Sequence, residues 1–158
     1  MAKLTFVGGI HPYDGKELSK DRPIADVRPG DELGYPLSQH IGAPAKPIVA
    51  KGDRVLMGQK IAESGGFVSA PIYASVSGTV KALEARRVVT GDLVMSIVVA
   101  NDGQYEDVGF RPREDAGKLS REEIIDIIKE AGIVGMGGAG FPTHVKLSQK
   151  EPEKIDYV

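Results

Sequence analysis

The sequence of 158 residues contains no cysteine, and this absence excludes several kinds of site. Within this stretch there can be no disulfide, no thiolate metal site and no cysteine-ligated iron–sulfur cluster. Apolar runs are also short, and none approaches the ~20 residues that a membrane-spanning helix requires. Residues 1–8 lack the long apolar core of a secretory signal peptide. We therefore expect the isolated chain to be soluble, while still able to dock on a membrane protein.

An excess of charge of either sign is lacking as well. The formal net charge is −2, and basic residues stand beside acidic ones, as at 113–115. There is no basic stripe with interleaved aromatics, so no nucleic-acid partner is predicted. The three histidines, His11, His40 and His144, are far apart and show no metal-ligand spacing, so no metal site is predicted. We expect His11 and His40 to form local hydrogen bonds and His144 to be exposed. Because no serine has a convincing base partner, no catalytic residue is predicted either.

Glycine and proline, by contrast, are abundant, with 20 and 10 residues, and they favour a β-rich fold with many turns. The predicted fold class is α+β. The chain divides into four predicted zones, which are an irregular N-terminal wrap at 1–40, a strand-rich module at 41–102, a polar linker at 103–118 and the beginning of a second unit at 119–158.

The module at 41–102 is dense in β-branched residues, which favours short strands over helices. Tight turns are predicted at Gly52-Asp53 and at Gly58, where glycine supplies a positive φ. Together with Ser77-Gly78-Thr79-Val80, this pattern resembles the barrel-sandwich fold of biotinyl and lipoyl carrier domains. The predicted strands are 60–62, 67–72, 78–83 and 94–99, and the stretch 49–55 is interpreted as the Gly52-Asp53 turn between apolar residues.

Biotinyl and lipoyl carriers present a lysine at a hairpin tip, whereas the corresponding tip at 63–67 holds none. Lys60 and Lys81 lie inside the strand patterns rather than at the tip. A structural sandwich is therefore preferred over a swinging-arm carrier.

The unit at 119–158 opens with the clearest helix pattern. Ser120 and Glu123 form a predicted capping box, and apolar residues at positions 124, 127, 128 and 131 share one face. Gly132 stands where such a helix usually ends. A second, short helix is predicted after Pro142.

Between the two predicted helices, four glycines fall within six residues, in the stretch Gly135-Met136-Gly137-Gly138-Ala139-Gly140. Without Cβ atoms the backbone can approach a ligand closely and present N–H groups to an anion. A helix beginning near Thr143, with Lys146 in its first turn, suits a phosphate. The loop matches G-x-G-x-x-G but lacks the preceding strand and later acid of a dinucleotide fold, and it is not a P-loop. On spacing alone, a glycine-rich turn that binds nothing stays an open alternative.

The loop and the Phe141-Pro142-Thr143 that follows resemble the flavin loop of the NADH-oxidising subunit of respiratory complex I, and more closely the RnfC family of the Rnf electron-transport complex. The likeness extends to 8–12, 36–44 and 74–80. It implies a barrel-sandwich module followed by the start of an α/β flavin-binding domain. It also implies a parent NAD:ferredoxin oxidoreductase subunit that binds FMN and NADH and carries two 4Fe-4S clusters. That parent would work with other Rnf subunits at the cytoplasmic face of the membrane, coupling electron transfer between NADH and ferredoxin to ion transport.

The resemblance also implies roles for single residues. One group matches positions that hold the phosphate and ribityl chain of FMN: Gly135, Gly137 and Lys146. Another matches positions nearer the nicotinamide nucleotide, where an aromatic ring is available for stacking: Gly138, Ala139 and Phe141. The predicted cofactor-binding set is completed by Gly140 and Thr143. Met136 stands where the complex I protein has arginine, so the anion is expected to be held less strongly.

In the family, the chain continues with a segment that completes the flavin pocket and then with the cluster cysteines. The sequence resembles roughly the first third of the length of the family's members. We therefore expect a partial site, weak flavin binding and no NADH dehydrogenase activity from the isolated chain. Two alternatives remain. One is a cobalamin-reducing relative, disfavoured because its loop is expected near the N-terminus, and the other is a non-enzymatic docking or scaffold module.

Overall fold

The computed structural model describes residues 9–10, 12–111, 115–151 and 154–155. The expectations for residues 1–8 and for His11 lie outside these residues. In the described part, the strands are β1 (Glu32–Pro36), β2 (Lys46–Pro47), β3 (Arg54–Val55), β4 (Lys60–Glu63), β5 (Ile72–Tyr73), β6 (Gly78–Arg87) and β7 (Leu93–Asn101). The helices are α1 (Arg121–Glu130) and α2 (Thr143–Leu147), with short 3₁₀ turns at Lys16–Leu18 and Ala116–Lys118.

The strands form two antiparallel sheets that share one core. The first sheet has the order β1-β7-β6-β3, and the second has the order β2-β4-β5. In the first sheet Tyr35 of β1 lies opposite Ile97 of β7, and Val80 of β6 lies opposite Val99. A register shift follows Val80, as a β-bulge produces in a strongly bent strand. This arrangement confirms the predicted β-rich barrel sandwich.

The core is filled from both sheets by branched aliphatic side chains. Val55, Val80 and Ile97 come from the first sheet and Ile61 from the second, and each is at most 1% exposed. Burying such a side chain stabilises a fold by about 1.5–3 kcal/mol. Sandwich stability therefore rests on the apolar positions that the strand pattern identified.

Two predicted turns have the backbone that the sequence indicates. Gly52 has φ 98° and Gly58 has φ 82°, both in the left-handed region. The Asp53 carboxylate accepts a hydrogen bond from the Ala50 N–H at 2.7 Å, which closes the first turn. Asp53 is thus a turn residue, as predicted.

Other strand predictions need correction. Of the stretch 67–72 only Ile72 lies in a strand. The backbone before it forms hydrogen bonds outside the sheets, because the Val68 carbonyl accepts from the Ala43 N–H and the Ala70 N–H donates to His40. Strand β6 runs on to Arg87, beyond the predicted end at 83. Strand β1 lies inside the stretch expected to be irregular and pairs along its whole length with β7. The division into four zones otherwise stays a prediction.

Helix α1 confirms the capping prediction. The Ser120 hydroxyl accepts from the Glu123 N–H at 3.2 Å, and the Glu123 carboxylate accepts from the Ser120 N–H at 2.7 Å. Gly132, with φ 67°, follows the last turn. The apolar face is only partly covered, because Ile127 and Ile128 are half-buried while Ile124 remains 42% exposed.

Candidate cofactor-binding site

The glycine loop is a closed turn between α1 and α2. Its two flanks are bridged at Val134 and Pro142, and the Gly135 N–H donates to the Phe141 carbonyl at 2.9 Å. Inside the turn the Gly140 N–H donates to the Gly137 carbonyl at 3.0 Å. These bonds fix the loop at residues 135–140, which we call the arch, and residues 136–139 form its tip.

The tip of the arch presents successive backbone donors. The N–H groups of residues 136–139 make no hydrogen bond to any residue in the described ranges. Consecutive N–H groups of this kind form a concave anion-binding surface. The tip is therefore chemically suited to bind the oxygen atoms of a phosphate.

The arch rests on the sandwich through the segment after β1. The Ile41 N–H donates to the Ala139 carbonyl at 2.9 Å, and Gly140 packs against the backbone of Gln39 and His40. His40 is buried, and its Nε2 accepts from the Ala70 N–H at 3.0 Å. Nδ1 therefore carries the proton and donates to the Ile41 carbonyl. The bond to Ile41 is local, as predicted, whereas the bond to Ala70 joins residues that are distant in the sequence. Together they support the segment under the arch.

A second attachment joins the end of α1 to the three-stranded sheet. The Tyr73 hydroxyl donates to the Glu130 carbonyl, and the Lys60 ammonium pairs with the Glu130 carboxylate. The hydrogen bond from Lys60 holds the pKa of Glu130 below its usual value, and the same bond raises the pKa of Lys60. Burial raises the pKa of the Tyr73 phenol. Gly132 lies so close to the Pro71 carbonyl that a Cβ would stand 2.7 Å from it.

His144 is buried, so the expectation that it is exposed is wrong. Its side chain is 2% exposed and lies between α2 and the loop that follows β4. Nε2 donates to the Phe67 carbonyl at 3.1 Å, and the two rings meet edge to face with centroids 6.1 Å apart. Because it is the second residue of a one-turn helix, His144 reaches back to the sandwich rather than out to solvent.

The predicted phosphate-binding residues come together around the arch. The Lys146 ammonium lies 3.7 Å from the point that a Cβ on Gly135 would occupy, and 5.9 Å from the centroid of the Phe141 ring. Lys146 makes no ion pair with the part of the chain that the structure describes. Thr143 begins α2, and its N–H donates to the Ile133 carbonyl. The arch thus combines a row of N–H groups with an adjacent cation.

The glycines of the loop fall into two classes. Gly140 has φ 53°, and a Cβ there would lie 3.0 Å from the Gln39 carbonyl, so the fold itself requires glycine. Gly135, Gly137 and Gly138 have no positive φ. A Cβ on Gly137 or Gly138 would meet no described atom within 4 Å, and one on Gly135 would make only ordinary contacts. Neither backbone strain nor packing explains glycine at these three positions, whereas close approach of a ligand does.

Beside the arch lies a cleft that sequence reasoning missed. Its volume is about 590 Å³, and it separates Gly138 from the turn of the β6–β7 hairpin. The hairpin turn and the segment after β1 are distant from the loop in sequence. No pattern in one sequence indicates that they meet it. The walls are formed by Pro36, Ser38, Gln39, Arg87, Val88, Val89, Thr90, Asp92, Val94 and Gly138.

Comparison with known families gives one match to the sandwich and a second match to the segment that contains the arch. A family profile described as the RnfC barrel sandwich hybrid domain matches residues 4–104. The chain belongs to the RnfC family. A second profile, described as the Nuo51 FMN-binding domain, matches residues 128–158, which contain the end of α1, the arch and α2. The predicted resemblance is confirmed.

The named relatives of this RnfC chain are longer proteins, which it matches in part. It is 45% identical over 155 residues to the C subunit of the Na(+)-translocating ferredoxin:NAD(+) oxidoreductase complex of Acetobacterium woodii, covering 98% of this chain and 35% of that protein. It is 45% identical over 153 residues to the proton-translocating counterpart of Clostridium ljungdahlii, covering 96% and 34%. The C subunit of the ion-translocating oxidoreductase complex of Vibrio cholerae is 42% identical over 144 residues, covering 90% and 19%. The chain therefore spans about a third or less of the length of these relatives.

Among the described residues, no helix combines the length and apolarity needed to cross a bilayer. A search of the same residues finds no group of three or more histidine, aspartate or glutamate side chains arranged to hold a metal ion.

The two lysines considered for a swinging-arm carrier both form ion pairs. Lys60 pairs with Glu130, and Lys81 pairs with Glu32. These pairings favour the structural-module interpretation of the sandwich.

Proposed function

We propose that this chain supplies the phosphate-binding part of an FMN and NADH site in an RnfC subunit. The observation that carries the proposal is the arch, where three glycines that the fold does not require lie beside four available N–H groups and the Lys146 ammonium. The match of 128–158 to an FMN-binding profile supports flavin as the ligand.

The residues present fit such a ligand. Gly135 and Gly137 leave room for the phosphate and ribityl chain to approach the backbone, and Lys146 supplies the opposing positive charge. The Phe141 ring, beside Lys146, offers an aromatic face for a planar group. The redox chemistry belongs to the flavin when it is bound, while the chain binds and orients it.

The wider function is that of the whole protein. Electrons would pass between NADH and ferredoxin, through FMN and 4Fe-4S clusters, in a complex that moves ions across the membrane. This chain has no cysteine, so the cluster ligands would come from outside it. The RnfC subunit would lie peripherally on the cytoplasmic face, in contact with the other subunits of the complex. The isolated chain is expected to lack NADH dehydrogenase activity.

A docking role for the first half of the chain is the second candidate. The N-terminal segment presents large apolar side chains to solvent, including Ile24 and Val27, which are 101% and 87% exposed. Where exposed apolar side chains form a contiguous patch they mark a protein contact, and this segment is the candidate for one. The two functions are compatible, because the arch and this segment are different parts of the chain.

Flavin titration tests the principal proposal. FMN binding to the 158-residue chain would be measured by quenching of flavin fluorescence at low ionic strength. Lys146→Ala is expected to weaken binding about fivefold, the scale of one exposed charge pair. Gly137→Ala is expected to weaken it at least as much, because the added methyl group obstructs the approach of the phosphate.

Lys150→Ala is the matched control, since it removes one exposed positive charge outside the arch. Its FMN affinity should equal that of the unaltered chain. Equal affinities for all four proteins, or no FMN binding by any of them, would contradict the proposal. Loss of affinity confined to the two arch variants would support it.

A further inference from the structure

The cleft beside the arch has two walls that the fold holds in fixed relation. One wall is the turn of the β6–β7 hairpin, whose strands pair continuously to Arg87 and Leu93. The other is Gly138 together with Ser38 and Gln39. The hydrogen bond from Ile41 to Ala139 ties the arch to the same sandwich that carries the hairpin. Both walls therefore belong to one rigid support.

The two arginines at the end of the hairpin differ in their electrostatic state. Arg86 donates to the carboxylates of Glu32 and Glu84, each at 2.7 Å, so its charge is neutralised. Arg87 makes no ion pair with any residue that the structure describes, and its Nη1 donates to the Gly91 carbonyl at 2.5 Å. That bond holds the guanidinium at the hairpin turn while its other N–H groups remain available. Arg87 is thus an oriented, unneutralised cation at the cleft.

The rest of the cleft is mixed in character. Asp92 and Thr90 are hydrogen-bonded to each other at 2.8 Å, and Ser38 and Gln39 add a hydroxyl and an amide from the opposite side. Val88 and Val89 supply an apolar surface. A cation, hydroxyl-binding groups and an apolar surface match the diphosphate, riboses and base of a dinucleotide.

We infer that the sandwich itself contributes to the nucleotide site, with the β6–β7 turn as one wall of an NADH-binding cleft and Arg87 as the side chain that pairs with its diphosphate. The inference rests on the proposed function and adds a residue outside the flavin-domain segment. Arginine suits this role because its planar fork binds phosphate oxygens in pairs. The carboxylate of Asp92 in the same cleft would repel an additional phosphate group. The cleft should therefore bind NADH more tightly than its 2′-phosphorylated form.

Binding of ADP-ribose, the non-redox part of NADH, tests the inference on the 158-residue chain. Isothermal titration at low ionic strength would compare the unaltered chain with Arg87→Ala and with Arg28→Ala. Arg28 is another exposed arginine, and it does not line the cleft, so this control matches the change in net charge. Arg87→Ala should weaken ADP-ribose binding about fivefold, and Arg28→Ala should leave it unchanged. Val89→Asp, at a fully exposed position of the turn, should also weaken binding by adding a negative charge.

The outcomes separate this inference from the proposed function. Equal ADP-ribose affinity for Arg87→Ala and Arg28→Ala overturns the inference, as does a lack of ADP-ribose binding by the unaltered chain. FMN binding that falls with Lys146→Ala would in either case leave the proposed function standing. A loss specific to Arg87→Ala and Val89→Asp, with unchanged FMN affinity and thermal stability, supports the inference.

Discussion

Replacing Gly140 by alanine is expected to destabilise the protein by about 2 kcal/mol. Gly140 has φ 53°, and a non-glycine residue in this left-handed region costs roughly 1–2 kcal/mol. The new Cβ would also lie 3.0 Å from the Gln39 carbonyl and 3.3 Å from the His40 Cα, so the backbone under the arch must shift. Both effects oppose the folded state, and together they exceed the smaller gain that comes from restricting the unfolded chain.

Gly137→Ala is the matched control, three residues away in the same loop. Its backbone has no positive φ, and its Cβ would meet no described atom within 4 Å. The free energy of unfolding should stay the same or rise slightly, because alanine restricts the unfolded chain. Glycine positions are thus expected to separate into one that the fold needs and one that only a ligand needs.

Thermal unfolding followed by circular dichroism would measure the difference. For a protein of this size 1 kcal/mol corresponds to about 2–4 °C, so Gly140→Ala should lower the Tm by roughly 4–8 °C. Gly137→Ala should leave the Tm within about 1 °C of the unaltered value or slightly above it. The reasoning is refuted if the two variants have equal Tm, or if Gly137→Ala is the less stable.

The remaining predictions concern the helix cap and the pH dependence of stability. Ser120→Ala removes one half of the capping box and should cost about 1 kcal/mol, measured as a lower urea midpoint with an unchanged slope. Hydrogen bonds from the Ser77 hydroxyl and the Gln104 N–H hold the pKa of Asp102 below its usual 3.8. The ionised carboxylate therefore stabilises the fold above that pH, and the contribution is lost as the pH falls through the lower folded-state pKa. Asp102→Asn should thus lower the Tm at neutral pH but not near pH 2, and an equal effect on the Tm at both pH values would contradict this.

Local features of the fold were predictable from local sequence. The Ser120–Glu123 box, the left-handed Gly132 and the Gly52-Asp53 turn each depend on a few neighbouring residues, and each has the predicted form. The capping residue and the backbone preference of glycine act over one turn, so a single sequence carries enough information to place them.

Features that depend on distant partners were not predictable. Strand β1 was missed because its pairing with β7, not its own composition, makes Glu32–Pro36 a strand. The burial of His144 was missed because it depends on Phe67, which is far away in the sequence. Loop 67–71 has strand-like residues, yet its hydrogen bonds go to the segment around His40.

The candidate site likewise has one part that local sequence predicts and another that depends on distant residues. The arch and Lys146 were identified from one contiguous motif, and the structure brings Gly135, Phe141 and Lys146 together. Whether the predicted residues bind FMN or NADH stays a prediction. The cleft wall at 87–92 was missed, because nothing in the hairpin sequence indicates that it faces Gly138.

The hydrogen bond between Ile41 and Ala139 has a consequence for how the arch forms. Its two residues are far apart along the chain, so this support for the arch exists only when the segment after β1 is folded beside it. A peptide of the arch and its two helices alone would lack this hydrogen bond and the support from His40. Grafting the arch onto another scaffold would therefore require residues 39–41 to be transferred with it.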